Sequence, residues 1–295
     1  MSAFQIFSDG SADFPLSVAS QNNIRIIPFY VSFDGQNYYK ELEELSLDVF
    51  YHKIINEKVF PKTSLPAIAD YTDAFEEALK DGKDVICFTI TDTLSGSFQS
   101  ARTAKDLLEE KYPDRKIYIV NSLQVTGSQM LLVNEARKMQ QSGLDVDEVY
   151  NWCEKYKSDA GIIFMVGGLD HLQKGGRIGK LAALSGSILK IKPMIHLKDG
   201  SIDTAGVVRS RKAGMKKNVE LIKAHFEKNG LDIADFIFTI GSTNTPEEFE
   251  ALTAEINAVI PQAELSPASF QIGGTIGTHT GPDTLGICYA RRYKA

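Results

Sequence analysis

Four short polar loops carry side chains that could bind a small anion. They are SDGSAD (residues 8–13), KTSLP (62–66), TLSGS (93–97) and IGTHTGP (276–282). In the third, Ser95 and Gly96 follow an apolar run and precede a helical pattern. A helix N-terminus offers unpaired N–H groups and a favourable dipole to an anion, and glycine lets the anion approach the backbone. The alternative is simple helix capping by Ser95 or Ser97.

The last loop adds a titratable group. His279 is one of five histidines and lies between Thr278 and Thr280. A lone histidine is usually structural, but hydroxyl neighbours and a glycine turn favour contact with a polar ligand.

Asp9 and Asp13 lie close together in the first loop. Two carboxylates in one loop are more typical of turns and caps than of a metal site, so we predict no metal.

Several catalytic and cofactor motifs do not occur in the sequence. It has no GxxxxGK[ST], no GxSxG, no HExxH and no calcium-binding loop, and no GxGxxG follows the first apolar run. The sequence therefore has no Walker-type ATP site, gives little support to dinucleotide binding, and lacks the nucleophile-elbow context that Ser95 would need in a hydrolase of that type.

Strand-like apolar runs alternate with amphipathic stretches along the chain, which predicts α/β layers with a mostly parallel sheet. The predicted strands are AFQIF, DVICFTI, KIYIV, GIIFMV, PMIHL, AGVV, DFIFTIG and LGICYA. The predicted helices cover about 15–22, 96–110, 124–141 and 209–229, and one more begins with Thr245 as N-cap, Pro246 first and Glu248 closing a capping box. KDGS between two strands predicts a hairpin, so the second half should hold a mixed sheet. We expect two α/β domains, 1–158 and 159–295, with ligands beyond the strand ends.

Composition narrows the class of protein. The 295 residues carry a net charge of −6, which argues against general nucleic-acid binding. Residues 171–217 hold eleven Lys or Arg and two Asp, a local charge of +9. That concentration favours a docking surface or an anion site over a solvated face.

The start of the chain lacks a basic segment followed by an apolar one, and Cys87, Cys153 and Cys288 are far apart. We therefore expect buried, reduced thiols in a cytoplasmic protein.

Six motifs in a fixed order resemble one family over nearly the whole chain. They are SDGSAD, TSLP, TLSGSFQSA, LDHLQKGGRI, IKPMIHLKDG with VRSRKA, and GTHTGPDTLGI. Each is weak alone, but together they are similar to the DegV family of bacterial fatty-acid-binding proteins, including its FakB type.

The resemblance implies a DegV-like fold that holds one long-chain fatty acid between two domains. It implies that the acyl carboxylate is presented to a separate ATP-dependent fatty acid kinase, which makes an acyl phosphate for phospholipid synthesis. The carboxylate-binding positions fall on Thr63, Ser95, Gly96, His279 and Thr280, and the kinase-docking positions on Arg177 and Arg209. The implied protein is a carrier with no catalytic residues of its own and no cofactor beyond its fatty acid. We also expect no stable membrane insertion and, although the sequence does not determine the oligomeric state, a monomer.

Two positions depart from the family pattern. Asp283 stands where the family reads HTGPG, which would put a carboxylate near the head-group site, and Gly10 stands where relatives carry a hydroxyl. Candidates for the acyl tunnel are apolar residues of the second half, each of which could equally be ordinary core: Phe164, Val166, Ile188, Leu189, Ile191, Met194 and Ile195. Two other hypotheses stay open. One is an enzyme acting on a small phosphorylated or hydroxy-carbonyl substrate through Ser95 or His279, and the other is a lipid sensor that docks a different protein.

Overall fold

The computed structural model describes residues 3–184, 191–243, 246–266 and 269–294. The α-helices of this part of the chain are α1 (Leu16–Gln21), α2 (Leu47–Ile55), α3 (Ile68–Lys80), α4 (Ser97–Lys111), α5 (Thr126–Gln141), α6 (Val146–Tyr156), α7 (Asp170–Lys174), α8 (Arg211–Asn229), α9 (Pro246–Val259) and α10 (Gly274–Thr280). The strands are β1 (Phe4–Asp9), β2 (Ile24–Ile27), β3 (Tyr30–Ser32), β4 (Tyr39–Lys40), β5 (Lys62–Ser64), β6 (Asp84–Thr89), β7 (Ile117–Asn121), β8 (Gly161–Met165), β9 (Lys192–Lys198), β10 (Ser201–Val208), β11 (Phe236–Ser242), β12 (Glu264–Leu265), β13 (Phe270–Gln271) and β14 (Leu285–Arg291).

The first sheet is parallel throughout, in the order β2-β1-β6-β7. Every residue of its two central strands, β1 and β6, is buried, as expected for strands covered by helices on both faces. The carboxyl ends of these strands lead into the loops at residues 8–13 and 93–97. The predicted parallel first sheet is confirmed.

The second sheet is mixed, as predicted. Its strands run in the order β10-β9-β8-β14-β11-β12, and β13 also pairs with β11. The first four pairings are antiparallel, whereas β12 and β13 run parallel to β11. The predicted hairpin joins β9 to β10 through Asp199 and Gly200, whose φ angles of 49° and 78° suit a tight two-residue turn.

A third, antiparallel sheet in the order β4-β3-β5 was not predicted from the sequence. Its strands are two or three residues long and are only partly apolar, so they give little periodic signal. The sheet matters to function because β5 carries Thr63, one of the predicted head-group residues.

The start of helix α8 differs from the sequence prediction, whereas helix α9 begins at Pro246, as predicted. Helix α8 begins two residues later than expected because Ser210 is its N-cap: the Ser210 hydroxyl accepts a hydrogen bond from the Ala213 N–H at 3.1 Å. Arg209 consequently lies in the exposed segment before the helix. Thr245, the predicted N-cap of α9, lies outside the described residues. The Glu248 carboxylate pairs with Arg211 and accepts a hydrogen bond from the Ser242 hydroxyl.

Helix α5 lies between the first and second sheets. It packs against β11 and β14 on one side and against β1 and β6 on the other. One apolar core joins the two sheets through residues such as Ile86 of β6, Leu132 of α5 and Ile162 of β8. Burial of this shared surface is the main favourable term that holds the halves together. The division at 158/159 stays a prediction.

The three thiols of Cys87, Cys153 and Cys288 are free and buried. Within the described ranges, no helix is both long and apolar enough to cross a bilayer.

Candidate functional site

A cavity of about 230 Å³ lies between the first and second sheets. Its walls come from both: Phe29, Ile90 and Val125 from the first half, and the apolar side chains of the second-half strands, among them Ile162, Phe164, Leu197, Ile202, Phe270 and Ile272. Its polar lining is concentrated in loops and short elements that include Thr63, Ser95, Arg177, His279 and Thr280. The space is therefore apolar along most of its length and polar at one end.

Thr63 and His279 meet at this polar end. The Thr63 Oγ1 lies 3.0 Å from the His279 Nε2. Thr63 is fixed by strand β5, where it pairs with Val31 of β3, and His279 lies near the end of α10. Residues 216 positions apart in sequence are thus brought together by the third sheet and α10.

His279 is held as a neutral imidazole at pH 7. Burial, with smaller contributions from Arg177 and His171, lowers the pKa of His279 to about 4. Its Nδ1 is buried and has no hydrogen-bond partner among the described residues. The ring lies directly against Gly175, where any Cβ would collide with it. The uncharged ring therefore has its Nδ1 packed toward Gly175 and its Nε2 toward Thr63.

Buried acidic side chains fix the start of α10. The Glu41 carboxylate accepts hydrogen bonds from the Thr275 N–H, at 3.0 Å, and from the Thr275 hydroxyl. The Tyr51 hydroxyl donates to the Ile272 carbonyl at 2.7 Å. Asp13 lies close to Glu41 across Gly273, and burial together with the neighbouring Glu41 charge raises the pKa of Asp13 well above its usual range. These contacts hold the helix that carries His279.

Asp9 holds the loop that carries Ser95. Its Oδ2 accepts hydrogen bonds from the Ile90 N–H at 2.9 Å and from the Ser97 hydroxyl at 2.6 Å. The Ser95 Oγ accepts from the Ser97 N–H at 3.3 Å, so its own O–H proton is available to a ligand. Capping and ligand contact, the two alternatives for this loop, are therefore compatible.

Arg177 lies at the mouth of the cavity. Its Nε donates to the Leu94 carbonyl at 3.2 Å and its Nη1 to the Gly175 carbonyl at 2.6 Å. These bonds connect the segment after α7 to the Ser95 loop. Among the described residues Arg177 has no carboxylate partner, so its charge faces the cavity mouth without being neutralised.

One wall of the cavity is built around Phe270. This ring lies over two glycines, Gly127 of α5 and Gly241 of β11, where a Cβ would come within 2.5 Å of it. The Cys288 Sγ lies beside the same Gly127 position at 2.8 Å. The glycines therefore provide the room that the ring occupies, and the ring forms the wall of the cavity.

The comparisons with known proteins agree with this geometry. The model of the DegV family, described as a family of uncharacterised proteins, matches residues 3–292. The chain belongs to the DegV family. A DegV domain-containing protein of Clostridium perfringens is 33% identical over 292 residues, which cover 98% of each chain.

Solved DegV structures share the fold. A protein of Eubacterium ventriosum described as stearic acid-binding is 34% identical, with a TM-score of 0.93 over 98% of this chain and 99% of that one. A fatty-acid-binding DegV protein of Thermus thermophilus is 27% identical, with a TM-score of 0.85 and the same coverage. One from Bacillus subtilis, also described as fatty acid binding, is 28% identical, with a TM-score of 0.84 over 99% of this chain and all of that one.

Most head-group positions implied by the DegV resemblance lie together. Thr63, Ser95, His279 and Thr280 all line the cavity. Gly96 does not; it is the N-cap residue of α4 and lines the adjoining cleft. Arg177 lines both spaces, whereas the exposed Arg209 lines neither.

Of the predicted tunnel residues that the structure describes, one lines the cavity. Phe164 lines the cavity, but Val166, Ile191, Met194 and Ile195 do not. Side chains alternate along β9, so Met194 packs on the opposite face, toward α8. Val166 and Ile195 belong to the core between the sheets. Ile188 and Leu189 lie outside the described residues.

Wall residues of the first half were missed in the sequence. Phe29, Leu65, Ile90 and Leu94 contribute to the cavity. Ile90 and Leu94 follow the strand end that points to a ligand site in an α/β fold, which was the available signal.

The departures from the DegV pattern are accommodated away from the cavity. The Asp283 side chain packs against Gly167 and lies 3.8 Å from the Lys192 Nζ, and it does not line the cavity. The Asp283 carboxylate therefore does not contribute to the cavity lining. Gly281, with φ of 81°, takes the left-handed position in this loop. At Gly10 an added Cβ would come within 3.2 Å of the Phe29 backbone nitrogen, which explains a glycine there.

The described residues contain no group of three or more His, Cys, Asp or Glu side chains that could hold a metal ion.

Proposed function

We propose that this DegV family member binds one long-chain fatty acid and presents its carboxylate to a separate ATP-dependent fatty acid kinase, for acyl-phosphate formation in phospholipid synthesis. The observation that carries the proposal is the apolar cavity that ends at Thr63, Ser95 and His279. DegV relatives at 27–34% identity, described as fatty-acid-binding or stearic acid-binding proteins, support the ligand class.

The acyl tail supplies most of the affinity. Burying a methylene contributes about 0.8 kcal/mol, so about fourteen methylenes contribute about 11 kcal/mol before ordering costs of several kcal/mol. The walls formed by Phe29, Ile162, Leu197 and Ile272 are of the kind that such a tail requires. The carboxylate head group then needs only hydrogen-bond partners for its oxygen atoms.

The head-group residues suit a carboxylate that must remain reactive. Thr63, Ser95 and Thr280 can donate neutral hydrogen bonds, and His279 is neutral before the ligand binds. A buried arginine pair would hold the carboxylate as a stable ion pair and lower its reactivity. In the kinase reaction a carboxylate oxygen would attack the γ-phosphorus of ATP, the bond to the β-phosphate oxygen would break, and acyl phosphate and ADP would form.

Arg177 and Arg209 are proposed to dock the kinase. Both belong to the +9 segment, and both are exposed. Other cations of the segment are partly neutralised by ion pairs, as Lys192 is by Asp283 and Lys217 is by Glu220.

Because the partner consumes ATP, we place this step in the cytoplasm. We propose a monomeric carrier without activity of its own.

A hydrolytic role has little support from the site. Thr63 and His279 resemble a nucleophile and a base, but the His279 Nδ1 meets no orienting carboxylate among the described residues. Ser95 lies on a helix start and its Oγ accepts from a backbone N–H instead of bonding a base.

The test is reconstitution with a purified fatty acid kinase. The chain is loaded with carboxyl-¹³C palmitate or oleate and incubated with ATP and the kinase, and the acyl phosphate is measured by ³¹P and ¹³C spectra. We expect turnover only when both proteins are present, and its loss in a double charge reversal, Arg177→Glu with Arg209→Glu, that still retains lipid. Turnover by the isolated chain, or full turnover by the double variant, would contradict the proposal.

A further inference from the structure

Three acidic side chains are buried close to one another without a basic partner. Asp9 ends β1, Asp13 lies in the loop that follows it, and Glu41 comes directly after β4. Among the described residues, no Lys, Arg or His side chain lies close enough to offset the charge of any of the three. A buried carboxyl group in such surroundings needs either hydrogen-bond donors or a proton of its own.

Two of the three carboxyl groups have N–H donors. The Asp9 Oδ2 accepts from the Ile90 N–H at 2.9 Å, and its Oδ1 accepts from the Gln129 side-chain amide at 2.9 Å. The Glu41 Oε1 accepts from the Thr275 N–H at 3.0 Å. Because an N–H group can only donate, these contacts favour the ionised form of Asp9 and Glu41.

Asp13 has a different environment. Its Oδ2 accepts from the Thr126 hydroxyl, a group that can also act as an acceptor. The Gly273 N–H lies near this side chain, yet the buried Asp13 Oδ1 has no hydrogen-bond partner among the described residues. An ionised oxygen without a donor is costly in the interior, whereas a protonated oxygen becomes a donor itself.

The unpartnered oxygen lies beside Glu41. A Cβ on Gly273 would lie 2.4 Å from the Asp13 Oδ1 and 2.5 Å from the Glu41 Oε1. The two oxygens are therefore less than about 5 Å apart, a separation at which one negative charge opposes a second. Burial and the Glu41 charge accordingly raise the pKa of Asp13 well above its usual range.

The other titratable groups that face this pair supply no positive charge. Asp9 adds a further negative charge to the surroundings of both carboxyl groups. Tyr51 of α2 faces the pair and Cys288 of β14 faces Asp13, and burial raises the pKa of the phenol and of the thiol, so both stay neutral at pH 7. Within the described part of the chain, a second carboxylate charge would thus have no counter-charge here.

We propose that Asp13 is a proton-binding site: at neutral pH its Oδ1 carries a proton beside the Glu41 carboxylate, and the pair holds a single negative charge. The proton is taken from solvent and returned to it. The neutral side chain lets the loop after β1 pack against the start of α10, which Glu41 holds through Thr275. Loss of the proton would place a second, repelling charge there, so this contact depends on pH whichever ligand the cavity binds.

The first test is infrared spectroscopy of the unaltered chain at pH 7, with carbon-13 in the side-chain carboxyl groups of either its aspartates or its glutamates. A protonated carboxyl group has a C=O band separate from the carboxylate bands. We expect such a band, which shifts with labelled aspartate and not with labelled glutamate. A shift with labelled glutamate alone, or the absence of the band, would overturn the proposal. The label also separates this band from that of any bound lipid.

Asp13→Asn and Asp9→Asn are a matched pair, because an amide has the shape of a protonated carboxyl group. Asparagine also tolerates the φ of 55° at position 13. Asp13→Asn should lose the band and be at least as stable as the parent at pH 7. Asp9→Asn should keep the band and lower the folding equilibrium constant at least tenfold, because its amide would face an N–H donor. A band that persists in Asp13→Asn would refute the assignment.

The proton should also appear in the pH dependence of stability. An aspartate in the unfolded chain has a pKa of about 3.9, so above this pH the folded chain binds the Asp13 proton more tightly than the unfolded chain does. Between pH 5 and 7 the folding equilibrium constant of the parent should fall about tenfold per pH unit relative to Asp13→Asn. Buried histidines act in the opposite direction, but equally in both proteins. Parallel pH profiles of the two proteins would contradict the proton site.

Discussion

The two ends of the cavity are built on opposite principles. We expect the far end, away from Thr63 and His279, to be closed by a rigid contact, the Phe270 ring over Gly127 and Gly241. The near end is polar, shares Ser95 and Arg177 with an open cleft, and keeps His279 neutral with one nitrogen free. Under the proposed function, packing at the far end would select the ligand, whereas the near end would leave the ligand's head group accessible to a partner.

The largest expected effect comes from removing the far wall. Phe270 is only 3% exposed, so Phe270→Ala should lower the free energy of unfolding by about 3 kcal/mol, as for other large-to-small core changes. It should also lengthen the cavity and shift acyl preference toward chains longer than C18. Denaturant unfolding and competition between stearate and a C20 acid measure both. An unchanged length preference would show that Phe270 does not close the cavity.

A smaller change should act in the opposite direction. In Gly127→Ala the new Cβ meets the Phe270 ring and the Cys288 sulfur, so the ring must move into the cavity. Loss of room for about two methylenes would cost about 1.6 kcal/mol, or about fifteenfold in the affinity for stearate, with C14 acids little affected. Gly168→Ala is the matched control, because its nearest contact is an ordinary 3.7 Å. Equal behaviour of the two variants would refute the assignment of the far end.

At the near end, Thr63→Val removes a hydroxyl while keeping the shape of the side chain. Loss of one neutral hydrogen bond should weaken fatty acid binding by about 0.5–1.5 kcal/mol, with no change in chain-length preference. Ser95→Ala should behave similarly. A change in length preference in either variant would contradict the separation between the two ends.

The near end should also respond to pH. The pKa of His279 is about 4 in the folded chain against about 6.5 when unfolded, so the unfolded state binds more protons between these values. The stability contributed by the neutral ring is present above pH 6.5 and is lost as the pH falls toward 4, by up to about 1.4 kcal/mol per pH unit.

His279→Asn should reduce that slope. His196 and His225 also have pKa values lowered to about 4 by burial, and they will keep part of the slope in this variant. Unfolding free energies measured from pH 7 to 4.5 provide the comparison. An identical pH slope in the parent and in His279→Asn would show that the ring is not held neutral by its surroundings.

The smallest expected effect is at Arg209. Because this residue lines neither the cavity nor the cleft, Arg209→Ala should leave fatty acid affinity within twofold of the parent. Kinase-coupled turnover should fall if Arg209 belongs to the docking surface. A large loss of lipid affinity would place Arg209 in the binding site instead.

Much of the fold could be predicted from the sequence because its elements are periodic. The apolar runs at β1, β6, β8, β11 and β14 and the KDGS turn were sufficient for a parallel sheet followed by a mixed one. The third sheet was missed because two- and three-residue strands have no readable period, although one of them carries Thr63.

The site was only partly predictable. The motifs pointed to Thr63, Ser95, His279 and Thr280, which lie together. The walls of the cavity depend on how the two sheets and α5 pack, which the sequence does not show. Met194 was wrongly predicted as a wall residue, because side chains alternate along β9 and Met194 lies on the opposite face. Ile90, which does line the cavity, was overlooked. The buried carboxylates Asp9 and Glu41 were not recognised as supports, because their partners are distant in sequence.

The most direct test of the central claim is native mass spectrometry of the chain purified from cells, followed by organic extraction and lipid identification. We predict a one-to-one adduct with a C14–C18 fatty acid, or formation of that adduct when palmitate or oleate is added to ligand-free protein. A chain that carries no lipid and binds neither acid on addition would contradict the account.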